Sequence, residues 1–243
     1  MRTVFSRKGF DTSAGGGPSP IVDGRPISLP IPAHGELSRN SYGDLGLGQH
    51  AAAASRGRIG AADLCHHDPM FLPDARAVLG QCGAAQTHLE RQGVGAGDCF
   101  LFFGLFQEEG AKPHHRIFAY LQIEEVLPLQ DAPPKRLEEL AKLGVPHAIG
   151  LHAKNDTAYI GTGQMAKRAS NALRLTVPEG PPSLWQVPQW LFETGMSYHQ
   201  RADRWRKDNR LQSVARGQEF VSDIGDRQDA RGWLNAVIAE IAR

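Results

Sequence analysis

Two apolar runs in the middle of the chain constrain its fold most. Residues 93–106, GVGAGDCFLFFGLF, are a turn followed by a continuous apolar run, and residues 116–126, RIFAYLQIEEV, give a second strong strand signal. An apolar run this short and this aromatic is typical of a strand that is buried on both faces. We therefore expect these two strands to pair through the short loop between them and to form the centre of a sheet.

The flanking segments alternate between strand and helix signals without a βαβ rhythm. Further strands are predicted at residues 2–7, 25–32, 157–163 and 172–177, and helices at residues 74–92, 133–144 and 228–242. The prolines of 25–32 exclude a central position in a sheet. Residues 33–60 are rich in glycine and lack a period, which indicates a long loop or an insert. The expectation is a single α+β domain over residues 1–243, with a curved, mainly antiparallel sheet and flanking helices.

Composition excludes several classes of protein. The formal net charge is +1, so any contact with a polyanion must come from a local patch. No apolar run approaches the length of a membrane span, and the first residues lack the apolar segment of a signal peptide. Cys65, Cys82 and Cys99 form no CxxC pair, which indicates free thiols in a reducing compartment. We therefore expect a cytoplasmic protein without a membrane partner.

The stretch FSRKGFDTSAGGGPSPI, residues 5–21, is the first candidate site. Glycines let the backbone approach a ligand closely, and their N–H groups can surround an anion. The order of residues is neither that of a P-loop nor GxGxxG. The alternative is a glycine-rich turn closed by an aspartate side chain. The candidate ligand-binding residues are Lys8, Ser13, Gly15, Gly16, Gly17 and Ser19, and Asp11 is a candidate catalytic residue.

The stretch LCHHDP, residues 64–69, is the second candidate site. His66 and Asp68 share a face if the segment is extended. Together with His88 from the predicted helix they would form a two-histidine, one-carboxylate set, which suits iron or manganese and oxidative or hydrolytic chemistry. The same three residues are the candidate acid–base groups. Alternatively, the segment is a loop before a new element, with solvated histidines.

A basic stretch, residues 200–218, is the candidate contact with nucleic acid. If it is helical, Arg206 and Arg210 align along one face and could follow phosphates, and Trp205 could stack on a base. The alternative is an ordinary solvated helix whose tryptophan packs inward.

Several motifs resemble those of one family, the third nucleotide-modification-associated domain. They are KGFD at the start, CHHDP, GQCGAAQTHL, GVGAGDCFLFFGLF and GQEFV at 217–221. The resemblance covers nearly the whole chain and implies an association with modified bases in DNA. The segment GVGAGDCFLFF followed by IFAYLQIEEV is also similar to paired strands of PUA-like barrels such as the EVE and ASCH domains, which implies a small β-barrel that cradles a base.

Three functions are compatible with these patterns. The first is a protein that acts on or recognises a modified nucleotide, in DNA or free, with iron, manganese or zinc as the implied metal. The second is a non-catalytic, PUA-like reader that binds a modified base. The third is an enzyme that acts on a small nucleotide or sugar phosphate.

Overall fold

The computed structural model of the protein describes residues 1–33, 37–214 and 219–243. The described residues form twelve strands: β1 (Arg2–Arg7), β2 (Ser19–Val22), β3 (Arg25–Pro26), β4 (Met70–Phe71), β5 (Arg76–Gln81), β6 (Cys99–Glu108), β7 (His114–Pro128), β8 (Thr157–Met165), β9 (Leu184–Gln186), β10 (Trp205–Arg206), β11 (Arg210–Gln212) and β12 (Glu219–Asp223). They also form six α-helices: α1 (Gly48–Ser55), α2 (Gly83–Arg91), α3 (Pro134–Lys142), α4 (Pro146–Ile149), α5 (Gln189–Thr194) and α6 (Gln228–Ala242).

One large sheet and one small sheet carry the fold. The large sheet runs in the order β12-β1-β6-β7-β8-β5-β4, with β2 and β3 added beside the far end of β6. Its pairs are antiparallel except for β1 with β6 and β2 with β6, which are parallel. The sheet curls strongly into a half-barrel, and β9, β10 and β11 form the small second sheet. The predicted class, α+β around a curved and mainly antiparallel sheet, is confirmed.

The central strand is buried on both faces, as its apolar run predicts. On one face Leu101 and Phe103 pack against Phe5, Trp185 and the inner side of α6. On the other face Phe100 and Phe102 join a second core. Consecutive side chains of a strand point to opposite faces, so a run without polar residues supplies both cores at once.

The segment predicted as one helix over residues 74–92 is divided, so this prediction is wrong in its first half. Residues Arg76–Gln81 are β5, which pairs along its whole length with β8, and the helix begins only at Gly83. Val78 and Leu79 fall within the predicted helix, but both are buried in the sheet as part of β5. A short apolar run fits a buried strand as well as a helix, and here the pairing with β8 decides.

Other boundaries also differ from the prediction. Only Arg25–Pro26 of the segment 25–32 is a strand, and the segment 172–177 contributes isolated bridges without a strand of its own. Within the segment 33–60, α1 packs on a small core of its own, and residues 34–36 lie outside the described residues. The buried members of that core are Phe10, Leu29, Tyr42, Ala51 and Cys65.

Two glycine-to-alanine substitutions, one between central strands and one in a helix, are expected to change the free energy of unfolding in opposite directions. A Cβ on Gly161 would lie 1.9 Å from the carbonyl oxygen of Gln122, whereas a Cβ on Gly232, in the exposed face of α6, would meet nothing within 4 Å. We expect Gly161→Ala to lower the free energy of unfolding by about 1–3 kcal/mol through overpacking. Gly232→Ala should raise it by about 0.5–1 kcal/mol through helix propensity. Urea denaturation measures both, and equal effects would contradict the packing described.

Candidate functional site

A cavity of about 390 Å³ lies where β1 and β5 end. Lys8 and Gly9 follow β1 directly, and Gly80 and Gln81 close β5. The polar side chains that line the cavity come from four separate parts of the chain, and they are Arg7, Lys8, Asp11, Ser13, His66, Asp68, Gln81, Cys82, His147 and His152.

Three histidines converge on this cavity. One side-chain nitrogen from each of His66, His147 and His152 lies within 4.8 Å of the other two. The rings of His147 and His152 stack with their centroids 4.2 Å apart, and the ring of His66 meets both edge-on. Three imidazole nitrogens at this separation match the protein ligands of a catalytic metal site that keeps one position open.

One buried carboxylate orients two of the histidines. Asp156 hydrogen-bonds to Nδ1 of His147, and its other oxygen accepts the backbone N–H of His152 at 2.6 Å. The side chain of Asp156 is fully buried. A carboxylate on Nδ1 holds the ring in place and leaves Nε2 of His147 as the free nitrogen, which is the usual arrangement behind a metal-binding histidine.

Burial favours the neutral imidazole at two of the three histidines, His66 and His152. Burial lowers the pKa of His66 to about 4, with the carboxylate of Asp68 opposing the shift and the two other histidines adding to it. Burial also lowers the pKa of His152. A neutral imidazole has a free lone pair, so these two rings can bind a cation without first losing a proton.

The end of β5 fixes the positions of His147 and Asp68. A Cβ on Gly80 would lie 2.1 Å from the ring of His147, so only glycine lets the ring pack on the strand. The backbone N–H of the same glycine donates to Oδ1 of Asp68 at 2.8 Å. The other oxygen, Oδ2, then lies 4.0 Å from Nε2 of His66. Asp68 is therefore held beside the cluster with one oxygen turned toward it.

A buried glutamate forms the wall behind Lys8. Oε1 of Glu219 accepts from the ammonium of Lys8 at 3.2 Å, from the hydroxyl of Ser6 at 3.0 Å and from Nε2 of Gln81 at 2.5 Å. The side chain of Glu219 is 1 % exposed and that of Lys8 12 %. The lysine therefore enters the cavity with its charge already compensated by Glu219.

The opening glycine-rich stretch folds as a closed turn next to the cavity. Oδ1 of Asp11 accepts from the N–H and the hydroxyl of Ser13 and from the N–H of Ala14. Gly15 packs on the ring of Phe10, and Gly16 faces the guanidinium of Arg58. Asp11 and Ser13 line the cavity, whereas the two glycines border a shallower depression beside it. The stretch thus folds as a glycine-rich turn closed by an aspartate, which was the alternative interpretation of the sequence. The same turn forms one wall of the cavity.

Two of the remaining predicted residues have structural contacts. A Cβ on Gly17 would lie 2.3 Å from the carbonyl oxygen of Ala54 in α1, so this glycine permits close packing. Ser19 is buried, and its hydroxyl accepts the N–H of Leu29.

His88 is not brought together with His66 and Asp68. Its Nε2 lies 2.9 Å from the hydroxyl of Ser197, and its ring packs on Tyr198. The set that the structure assembles around His66 therefore differs from the predicted set: His147 and His152 stand where His88 was expected.

The basic stretch forms a hairpin, so the prediction of a helix there is wrong. Arg206 on β10 pairs with Arg210 on β11, and both side chains are exposed outside the cavity lining. Trp205 packs inward against Phe192 and donates its indole N–H to the carbonyl of His199. Residues 215–218 of this stretch, including Arg216 and the first two residues of the GQEFV motif, lie outside the described residues.

The candidate residues chosen from the sequence did not include His147, His152, Asp156 or Glu219. The signal was present in PHAIGLHAKND, but two histidines five residues apart share no helix face. The two histidines meet in the structure because α4 ends at Ile149 and the following loop brings the ring of His152 onto the ring of His147. Glu219 stands in the GQEFV motif, where a single acidic residue gave no sign of burial.

Comparison with models of known protein families gives the same family that the sequence motifs resemble. The family described as Nucleotide modification associated domain 3 matches residues 2–223 of the 243. The chain belongs to this family. The match includes every residue of the histidine cluster and the Lys8–Glu219 pair. Among curated proteins and among solved structures, nothing matches the chain.

The Lys8–Glu219 pair predicts a large and non-additive effect on stability. Glu219→Gln leaves the lysine beside an uncharged partner, and we expect a loss of about 3 kcal/mol of unfolding free energy. Adding Lys8→Met should restore part of that loss, because the buried charge is then removed as well. The exposed pair Glu138–Lys142 is the control, where Glu138→Gln should change stability by about 0.5 kcal/mol or less. Urea denaturation that shows additive single effects would contradict the pairing.

Proposed function

We propose that this protein is a metal-dependent enzyme that modifies a nucleotide or a base of nucleic acid. The observation that carries the proposal is the convergence of His66, His147 and His152 on a cavity, with Asp156 buried behind two of them. Family membership supports a nucleotide as the kind of substrate. None of the helices in the described part of the chain combines the length and hydropathy of a membrane span. Its three free thiols fit a cytoplasmic site of action.

The metal-binding histidines, Asp68, Lys8 and the glutamate behind Lys8 have distinct roles in this proposal. The three imidazole nitrogens would hold the metal, which supplies Lewis acidity and lowers the pKa of a bound water. Asp68 is in place to accept a proton beside the cluster, with its free oxygen 4.0 Å from Nε2 of His66. Lys8 is in place to donate a hydrogen bond to a substrate oxygen or ring nitrogen. Glu219 positions that lysine from behind without contacting the substrate.

The donor set narrows the choice among iron, manganese and zinc. Imidazole nitrogen suits zinc and iron, whereas manganese favours carboxylate and water oxygens. Three histidines with an open fourth position are also a recurrent zinc arrangement in hydrolytic sites. Zinc or iron is therefore the metal that we propose.

Metal content tests the proposal directly. We expect the purified protein to carry close to one zinc or iron per chain, and His147→Ala and His152→Ala to lower its metal affinity at least tenfold. His88→Ala should leave the metal content unchanged, because His88 bonds to Ser197 outside the cluster. Elemental analysis after dialysis, together with circular dichroism to confirm folding, provides the measurement. A metal-free wild type that still binds nucleotides would favour the non-catalytic reader.

A second candidate is covalent catalysis by Cys82. Its thiol, a nitrogen of His147 and an oxygen of Asp156 also lie within 4.8 Å of one another, which is the composition of a cysteine–histidine–aspartate triad. Against it, burial and the nearby Asp156 raise the pKa of the Cys82 thiol and so disfavour the nucleophilic thiolate. The histidine cluster is therefore preferred.

Alkylation distinguishes the two candidates. For the metal enzyme we expect slow reaction of Cys82 with iodoacetamide at pH 7, and a Cys82→Ser variant that keeps its full metal content. Rapid alkylation of Cys82, abolished in the His147→Ala variant, would favour the thiol mechanism over the metal.

A further inference from the structure

A second cavity adjoins the histidine cavity on the other side of Lys8. Its volume is about 330 Å³, within the range of small-molecule sites. Lys8, Gly9 and Asp68 line both cavities. A ligand in the second cavity would therefore lie against the same lysine and aspartate that face the histidine cluster.

The walls of this second cavity are largely apolar. Phe71, Phe118 and Met165 line it, together with side chains from the loops on either side of α1. Phe118 is buried in the second core of the sheet, so its ring is a fixed surface, whereas Met165 is 37 % exposed at the end of β8. A heteroaromatic ring can bury its apolar faces against such walls while the polar atoms at its edge meet the polar lining residues.

Two cationic side chains stand at this cavity, and the described residues offer neither of them a carboxylate partner. Arg25 at the β2–β3 turn and Lys167 just after β8 both line it, and both side chains are exposed. Within the described ranges, neither has a carboxylate oxygen within 4.0 Å. Asp68 is the acidic residue among the lining residues, and it is held by the backbone of Gly80. The rim is therefore positive and suits a phosphate group.

A further polar group, a ring nitrogen of His67, lines this cavity. His67 contributes to the wall, and its Nδ1 makes no hydrogen bond within the described part of the chain although it is buried. A buried ring nitrogen without a partner is costly unless a ligand or water satisfies it. The donor and acceptor edge of a nucleobase is one such partner.

We infer that the second cavity binds a nucleoside monophosphate unit, with the base in the slot and the phosphate at Arg25 and Lys167. The inference rests on the proposed function and deepens it. The edge of the base then faces Lys8 and Asp68, and beyond them the histidine cluster. This placement makes the base, and not the phosphate, the part of the substrate that reacts.

Binding of simple probes tests the inference. Calorimetry with the four deoxynucleoside monophosphates, deoxyribose 5-phosphate and inorganic phosphate should show at least one monophosphate that binds ten times more tightly than deoxyribose 5-phosphate. A single-stranded trinucleotide distinguishes the source of the unit: tighter binding than the monophosphate indicates nucleic acid, and weaker binding indicates a free nucleotide. If deoxyribose 5-phosphate binds as tightly as every monophosphate, the slot does not hold a base and the inference fails.

Matched variants locate the binding. Met165→Trp fills the slot and should lower the affinity at least tenfold, whereas Thr162→Trp, an exposed position on the same strand outside the lining, should not. Lys167→Gln should lower the affinity three- to tenfold, and the adjacent Arg168→Gln should have no such effect because Arg168 does not line the cavity. Equal effects within both pairs would overturn the assignment.

The same titration on the His152→Ala variant separates this inference from the proposed function. The inference predicts that the variant, although it binds less metal, still binds the monophosphate within about threefold of the wild type, because His152 lines only the first cavity. If the wild type binds metal but Met165→Trp does not change the nucleotide affinity, the inference is wrong and the proposed function is not affected. If the wild type carries no metal but Met165→Trp lowers the nucleotide affinity, the proposed metal enzyme is wrong and the inference is not affected.

Discussion

The carboxylate of Glu219 holds together parts of the sheet that the order of strands sets far apart. β12 is the first strand of the sheet and β5 the sixth, yet Oε1 of Glu219 accepts from Gln81 at the end of β5 and from Lys8 at the end of β1. This contact requires the sheet to curl, as it does. Because the glutamate is almost fully buried, its charge is acceptable only with these donors in place.

The histidine cluster likewise depends on a buried carboxylate whose charge is compensated by hydrogen-bond donors. Asp156 is buried, and it is satisfied by Nδ1 of His147 and by the backbone N–H of His152. Two buried carboxylates, one behind Lys8 and one behind the histidines, thus fix polar groups that line one cavity. Such pre-positioned groups favour a cation between the imidazoles and a polar substrate edge at the lysine.

The sequence predicted the centre of the fold better than its site. The short, aromatic apolar run of β6 favours a strand covered on both faces, and the structure has one. His66 and Asp68 were recognisable because cysteine, histidine and aspartate crowd into one short motif. His152 and Asp156 were not, since their proximity to His66 arises from the curl of the sheet and from a loop after α4. Local patterns carry no information about contacts of that range.

Anomalous diffraction from crystals of the protein, at the absorption edge of the metal it carries, tests the central claim most directly. The account predicts one strong peak in the histidine cavity, about 2.0–2.1 Å from a nitrogen of each of His66, His147 and His152. A peak coordinated elsewhere, or clear density for the three histidines with no peak after soaking in zinc, would contradict it.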